Sequence, residues 1–209
     1  RCRERGDGIA ADPGAALSLY RQAADSGYLP ALFEMGRCWE FGRCGLSPDL
    51  QKAFDLYKKA AEGGYAPAQV SLGNLYQLGR GVRQNAELAF RWYCNAANHG
   101  YARAFYCEGL CFERGIGTAA DHRHALQLYE RAAQGGDADA MFLAGRLCLH
   151  GAPGVPKDPE KGKALLGQAA SGGSEEARRM LGSLSQPRLK DALNNKLSEL
   201  LHRRGKDKK

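Results

Sequence analysis

The sequence predicts an all-α fold, an α/α superhelical solenoid of stacked helix pairs. Three observations carry the prediction. One motif returns five times, at a spacing of 36 or 37 residues. Within each copy the apolar positions fall three and four apart. Glycine, 27 of 209 residues against 8 prolines, stands at fixed places between the helical stretches. A long period repeated in register marks stacked supersecondary units. Spacings of three and four place side chains on one helix face. A glycine in a short connection permits backbone angles closed to other residues.

In chain order, residues 1–15 read as the end of a helix from an earlier unit and its connection. Gly6-Asp7-Gly8-Ile9 and Asp12-Pro13 match the later connections. The solenoid is expected over residues 16–185, as about five helix pairs. In the first pair, Tyr20 and Ala23-Ala24 mark one helix and Gly27 the turn. Ala31, Met35-Gly36 and Trp39 mark the next helix, which Gly42 closes. Tyr57, Ala60-Ala61, Gly64, Ala68, Leu72-Gly73, Tyr76 and Gly79 repeat the pattern. So do Tyr93, Ala96-Ala97, Gly100, Ala104, Glu108-Gly109, Phe112 and Gly115. The fourth copy runs Tyr129, Ala132-Ala133, Gly136, Ala140, Ala144-Gly145, Cys148 and Gly151. The fifth has Leu166, Ala169-Ala170, Gly173, Ala177 and Leu181-Gly182. Each copy predicts two antiparallel helices joined by a tight turn. One such pair cannot bury its apolar face alone, so stacking supplies the core. Asn85, Asp121 and Asp158 sit where a helix N-cap is needed. Residues 186–202 are expected to form an amphipathic capping helix. Pro187 suits its first turn, and Leu189, Leu193, Leu197, Leu200 and Leu201 form its apolar stripe. Residues 203–209 form a basic tail.

This register resembles the Sel-1-like repeat family, relatives of the tetratricopeptide repeat. The family pattern reads almost unbroken from Ala53 to Val82, and the resemblance covers about residues 1 to 185. The departures are Glu108 for Leu, Cys148 for the aromatic and Gly162 where a helix-opening Ala is usual. The resemblance implies a right-handed helical solenoid acting as an adaptor or scaffold. Family members serve membrane-complex assembly, protein quality control, cell-wall synthesis regulation and bacterial host interaction.

By the same resemblance, the helix carrying Leu72-Gly73 lines a concave groove. One groove column then holds Phe33, Val70, Tyr106 and Phe142, and a second holds Arg37, Asn74, Leu110 and Arg146. A third, three residues further on, holds Glu40, Gln77, Glu113 and Leu149. Aromatics flanked by Arg and Glu suit an extended or helical peptide. The same residues also suit packing between units, with charges paired one helical turn apart. The expected function is therefore a non-catalytic scaffold for a protein or peptide ligand. Two other readings are a self-associating signalling module and a regulatory region attached to an upstream enzyme domain.

Composition adds exclusions. An apolar content of 44% with 25% charge suits a folded chain, not a wholly disordered one. No apolar run approaches the roughly 18 residues of a membrane helix. The net charge of +7 is concentrated in the tail, so no specific nucleic-acid partner is expected. Seven cysteines, an odd number, stand in a register that argues against paired bridges. That favours a reducing compartment, cytoplasmic or an organelle matrix. Cys2, Cys38 and Cys111 share a repeat column with Leu75 and Leu147 and read as buried apolar residues. Cys94 aligns with Lys58 and Glu130 and reads as an exposed thiol, with Cys44 as a second accessible one. The cluster Asp121-His122-Arg123-His124 lies in a connection and reads as a turn. No metal site, cofactor or catalytic motif is expected.

Overall fold

The computed structural model describes residues 12–185, so the first eleven residues, the expected capping helix and the expected basic tail lie outside the described residues. Ten helices follow one another: α1 Pro13–Asp25, α2 Leu29–Phe41, α3 Leu50–Glu62, α4 Ala66–Leu78, α5 Ala86–Asn98, α6 Ala102–Arg114, α7 His122–Gln134, α8 Ala138–His150, α9 Pro159–Ser171 and α10 Glu175–Ser185. Among the described residues the β pairing is one isolated bridge, Ala152 to Val155. The fold is the predicted all-α solenoid.

Two kinds of helix alternate, and their ends differ because their caps differ. The odd-numbered helices α1 to α9 open on Asp12, Asp49, Asn85, Asp121 and Asp158. Each side chain accepts a hydrogen bond from a backbone N–H three residues on, at 2.9 to 3.0 Å. That satisfies a donor the helix itself leaves orphaned. The even-numbered α2, α4 and α6 end on Gly42, Gly79 and Gly115 at φ of 62°, 66° and 67°. A left-handed residue there stops the helix and turns the chain into the connection.

The deepest packing explains the repeated tyrosine and glycine together. A Cβ built on Gly36, Gly73 or Gly109 would lie 2.5 to 2.6 Å from the ring of Tyr57, Tyr93 or Tyr129. Each ring lies flat on the bare backbone of the helix before it and is 0 to 1% exposed. The helices meeting in this way, α2 with α3, α4 with α5 and α6 with α7, pack more extensively than the pairs joined by the tight turn. Alanines 53, 60, 89, 96, 125 and 132 fill the rest of the seam, each fully buried. In the last pair Leu166 replaces the tyrosine, and α8 and α9 approach closely instead. A Cβ on Gly162 would lie 2.8 Å from Leu149 N, so this departure from alanine admits another backbone.

Candidate functional site

The even-numbered helices carry the predicted groove columns, and a polar ladder runs along them. Its rungs are the tyrosines whose rings fill the core. The Tyr57 hydroxyl donates to Glu40 Oε2 at 2.8 Å, and Glu40 Oε1 accepts from Arg80 Nη1 at 3.0 Å. Tyr129 donates to Glu113 Oε2 at 2.6 Å, and the other oxygen of Glu113 is bound by Arg146. Tyr93 Oη lies 2.7 Å from both Asn74 Oδ1 and Gln77 Oε1. A hydroxyl has one proton, so one of these amides must present its NH2 to the phenol. Burial, reinforced at Tyr57 and Tyr129 by the neighbouring glutamate, pushes these phenols above their ordinary range. They are hydrogen-bond donors at every physiological pH.

Beside the ladder stands the aromatic column. Phe33 is half-buried, with ring centroids 5.5 Å from Tyr57 and from Tyr65. The Arg37 guanidinium stands 6.0 Å above the Phe33 ring and pairs with Glu34 at 3.3 Å. Tyr106 is half-buried, 6.3 Å from Tyr129. Arg103 lies 4.0 Å over its face and is held by Asp137 at 3.2 Å and Asp139 at 2.7 Å. Phe142 and Leu110 are half-buried against the core. These aromatics are half-buried and pack between helices.

Other predicted residues fall elsewhere. Val70, expected to face the groove, is 6% exposed and sits in the core. Cys94 is half-buried and donates to Glu108 Oε1 at 3.5 Å. Burial, then the Glu108 carboxylate, pushes its thiol up to about 12. The expected exposed thiol is thus a neutral, partly covered one, because Glu108 replaces the leucine of the pattern and draws Cys94 to it. Cys107 and Cys111 are buried, and burial pushes each up to about 12. Cys44 is 8% exposed, against the accessible position expected of it. Asp121 caps α7, and the His124 ring stacks edge-on to Phe112 at 4.4 Å. Among the described residues no three His, Cys, Asp or Glu side chains converge as a metal site. Nor is any described helix long and apolar enough to cross a membrane.

Sequence reading missed Arg80 and Arg103, which reach across units to carboxylates 40 and 34 to 36 positions away. It also treated the tyrosines as core alone. The available signal was tyrosine, never phenylalanine, at 20, 57, 93 and 129. A buried phenol needs a partner for its hydroxyl, which points to the polar column beside it.

The family model described as Sel1 repeat matches residues 1–28, 29–65, 66–101, 102–137 and 138–174. Each full match from residue 29 onward opens at an even-numbered helix, so the family unit is the pair joined by tyrosine on glycine. A Sel1 repeat protein from Oxalobacter formigenes is 31% identical over 96% of this chain and 84% of its own, with a TM-score of 0.82. A protective antigen of uropathogenic Escherichia coli, c5321, is 26% identical over 88% of this chain and 39% of its own, with a TM-score of 0.78. Cysteine rich protein B of Helicobacter pylori shares the fold at 23% identity, covering 64% of this chain and 95% of its own, with a TM-score of 0.51. A search of curated protein sequences finds no match.

Proposed function

The chain belongs to the Sel1 repeat family, whose members are generally non-catalytic scaffolds for protein interactions, and we propose that it holds an extended peptide segment of a partner along its even-numbered helices. The observation that carries the proposal is the row of half-buried aromatics Phe33, Tyr106 and Phe142, the first two packed against Tyr57 and Tyr129. Rigid aromatics in partly formed pockets desolvate well and lose little rotamer entropy. Arg37 and Arg146 are already engaged by Glu34 and Glu113. A ligand carboxylate would compete with these, so the arginines set register more than affinity. Asn74 is exposed and offers an amide to the ligand backbone.

A phage-displayed random peptide library panned on the folded protein tests this. Peptides enriched on the wild type should lose roughly 1–2 kcal/mol of affinity with Tyr106→Ala or Phe142→Ala, at an unchanged helical spectrum. Leu19→Ala, at an exposed site on the odd-numbered helix α1, should leave binding intact. Enrichment indifferent to both aromatic substitutions would move the binding surface off this face.

A further inference from the structure

The connection between α2 and α3 differs from its counterparts at one residue, and that residue brings two sulfur atoms together. Gly42 stands seven residues before the cap Asp49, as Gly151 stands seven before Asp158, whereas Gly79 and Gly115 stand six before Asn85 and Asp121. Two residues past the capping glycine, the six-residue connections have Gly81 at φ 70° and Gly117 at φ 68°, whereas the seven-residue ones have Cys44 at φ 57° and Pro153, each followed by a glycine at positive φ. Cys44 is the one non-glycine residue at positive φ among the described residues. Residues with a Cβ rarely adopt the left-handed region, so a cysteine there is a strained choice. The result of that choice is specific: Cys44 Sγ lies 3.0 Å from Cys38 Sγ. Cys38 is on the last turn of α2 and 1% exposed; Cys44 is 8% exposed. Ala16, Leu17, Tyr20 and Leu46 surround the two sulfurs with apolar atoms.

We propose that Cys38 and Cys44 are a dithiol modification site that a small-molecule disulfide converts to an intramolecular disulfide. Cys44, the more exposed, attacks one sulfur of the small disulfide as the thiolate. A mixed disulfide forms, and the first small thiol leaves, taking up the proton Cys44 gave. Cys38 then attacks the Cys44 sulfur and expels the second small thiol with its own proton. The protein loses two protons and two electrons, and the small disulfide takes them up to become two thiols. The sulfurs need to close by about 1 Å to reach bonding distance of ~2.05 Å. The product is apolar and stays inside the apolar cluster. In a reducing compartment the pair rests as thiols and closes when the disulfide pool rises. The bridge ties the last turn of α2 to the connection beneath it and fixes the strained loop.

Trypsin makes the test direct, because Arg37, Arg43 and Lys52 put the two cysteines in separate peptides, residues 38–43 and 44–52. The native protein is incubated with glutathione disulfide, alkylated, and digested without reductant. The expected result is the two peptides joined, lighter than their sum by two hydrogens and separated by reductant. Cys44→Gly, which puts the residue of Gly81 and Gly117 at this positive-φ position, should fold and give no such species. A rise in melting temperature on oxidation should appear in the wild type and vanish in Cys44→Gly. Recovery of the two peptides apart, alkylated or each carrying glutathione, would overturn the proposal. So would Cys38 joined to Cys2 or to any cysteine other than Cys44. If Cys44→Gly proved unstable, Cys38→Leu, the residue of Leu75 and Leu147, serves as the second control.

Discussion

At the scale of single residues, the molecule turns on which glycines are covered. Gly73 lies under Tyr93, and an added Cβ would sit 2.5 Å from the ring. Gly167 lies in α9 with nothing within 4 Å of such a Cβ. Gly73→Ala should therefore destabilise by about 1–3 kcal/mol through overpacking. Gly167→Ala should stabilise by about 0.5–1 kcal/mol through helix propensity. Denaturant unfolding of the two variants reads the opposite signs. Glu108 gives a second contrast. Burial raises its carboxyl above the ordinary range, partly offset by Cys94, His124 and Arg131. The folded state then holds this proton more tightly than the unfolded chain. Its contribution is most favourable below the unfolded carboxylate pKa and is lost as pH rises through the folded one. Glu108→Leu, the residue the register supplies at Leu72, should raise the melting temperature at neutral pH. The advantage should shrink as the solution is acidified into the carboxylate range. A constant advantage at all pH would mean that packing, not ionisation, is what Glu108 disturbs. Neither contrast was legible in sequence. The register marks Gly73 and Glu108 as positions but not what lies above them.

At the scale of elements, the sequence was most legible, because caps and periodicity are local chemistry. Asn85, Asp121 and Asp158 open helices where the spacing placed them, and Gly42, Gly79 and Gly115 close them. Replacing Asp121 by Ala removes the bond to His124 N and should cost about 1 kcal/mol. Asp121→Asn, which keeps an acceptor, should recover most of it in the same thermal melt. What the helices do to each other was less legible. Turn length suggested that helices sharing a tight turn form the unit, yet the closer partners are joined by the longer connection. The reason is the flat ring on bare backbone, an interaction between residues 20 or 21 positions apart that no local signal reports. The candidate site shares this limit. Its columns follow from the register, but Val70 turns inward where Phe33, Tyr106 and Phe142 keep an edge outside. A small β-branched side chain is covered completely by the neighbours that leave part of a ring exposed.

At the scale of the whole molecule, stability is carried from neighbour to neighbour, and excising one unit tests that. Removing residues 66–101 takes out α4 and α5 and joins Tyr65 to Ala102, the same dipeptide as Tyr101-Ala102 in the intact chain. The new neighbour of α3 is α6, which presents Ala104 where α4 presents Ala68 and Phe112 where α4 presents Tyr76. The edge-on contact of Phe54 with Tyr76 then has a phenylalanine to replace the tyrosine. The ring of Tyr57 keeps its seat on Gly36, because both belong to the unit before the cut. One link has no replacement: Ile116 arrives where Arg80 stood, so Glu40 loses its cross-unit cation and retains Tyr57 alone. The shortened chain should fold, with unchanged helical ellipticity per residue and a lower melting temperature, since a stack loses one unit and one interface at a time. Restoring the cation with Ile116→Arg in the shortened chain should recover part of the loss, and recovery should fall with added salt because the Arg80 side chain is 41% exposed. A shortened chain that fails to fold, at any salt and with or without the arginine, would mean that the units do not interact through nearest neighbours alone.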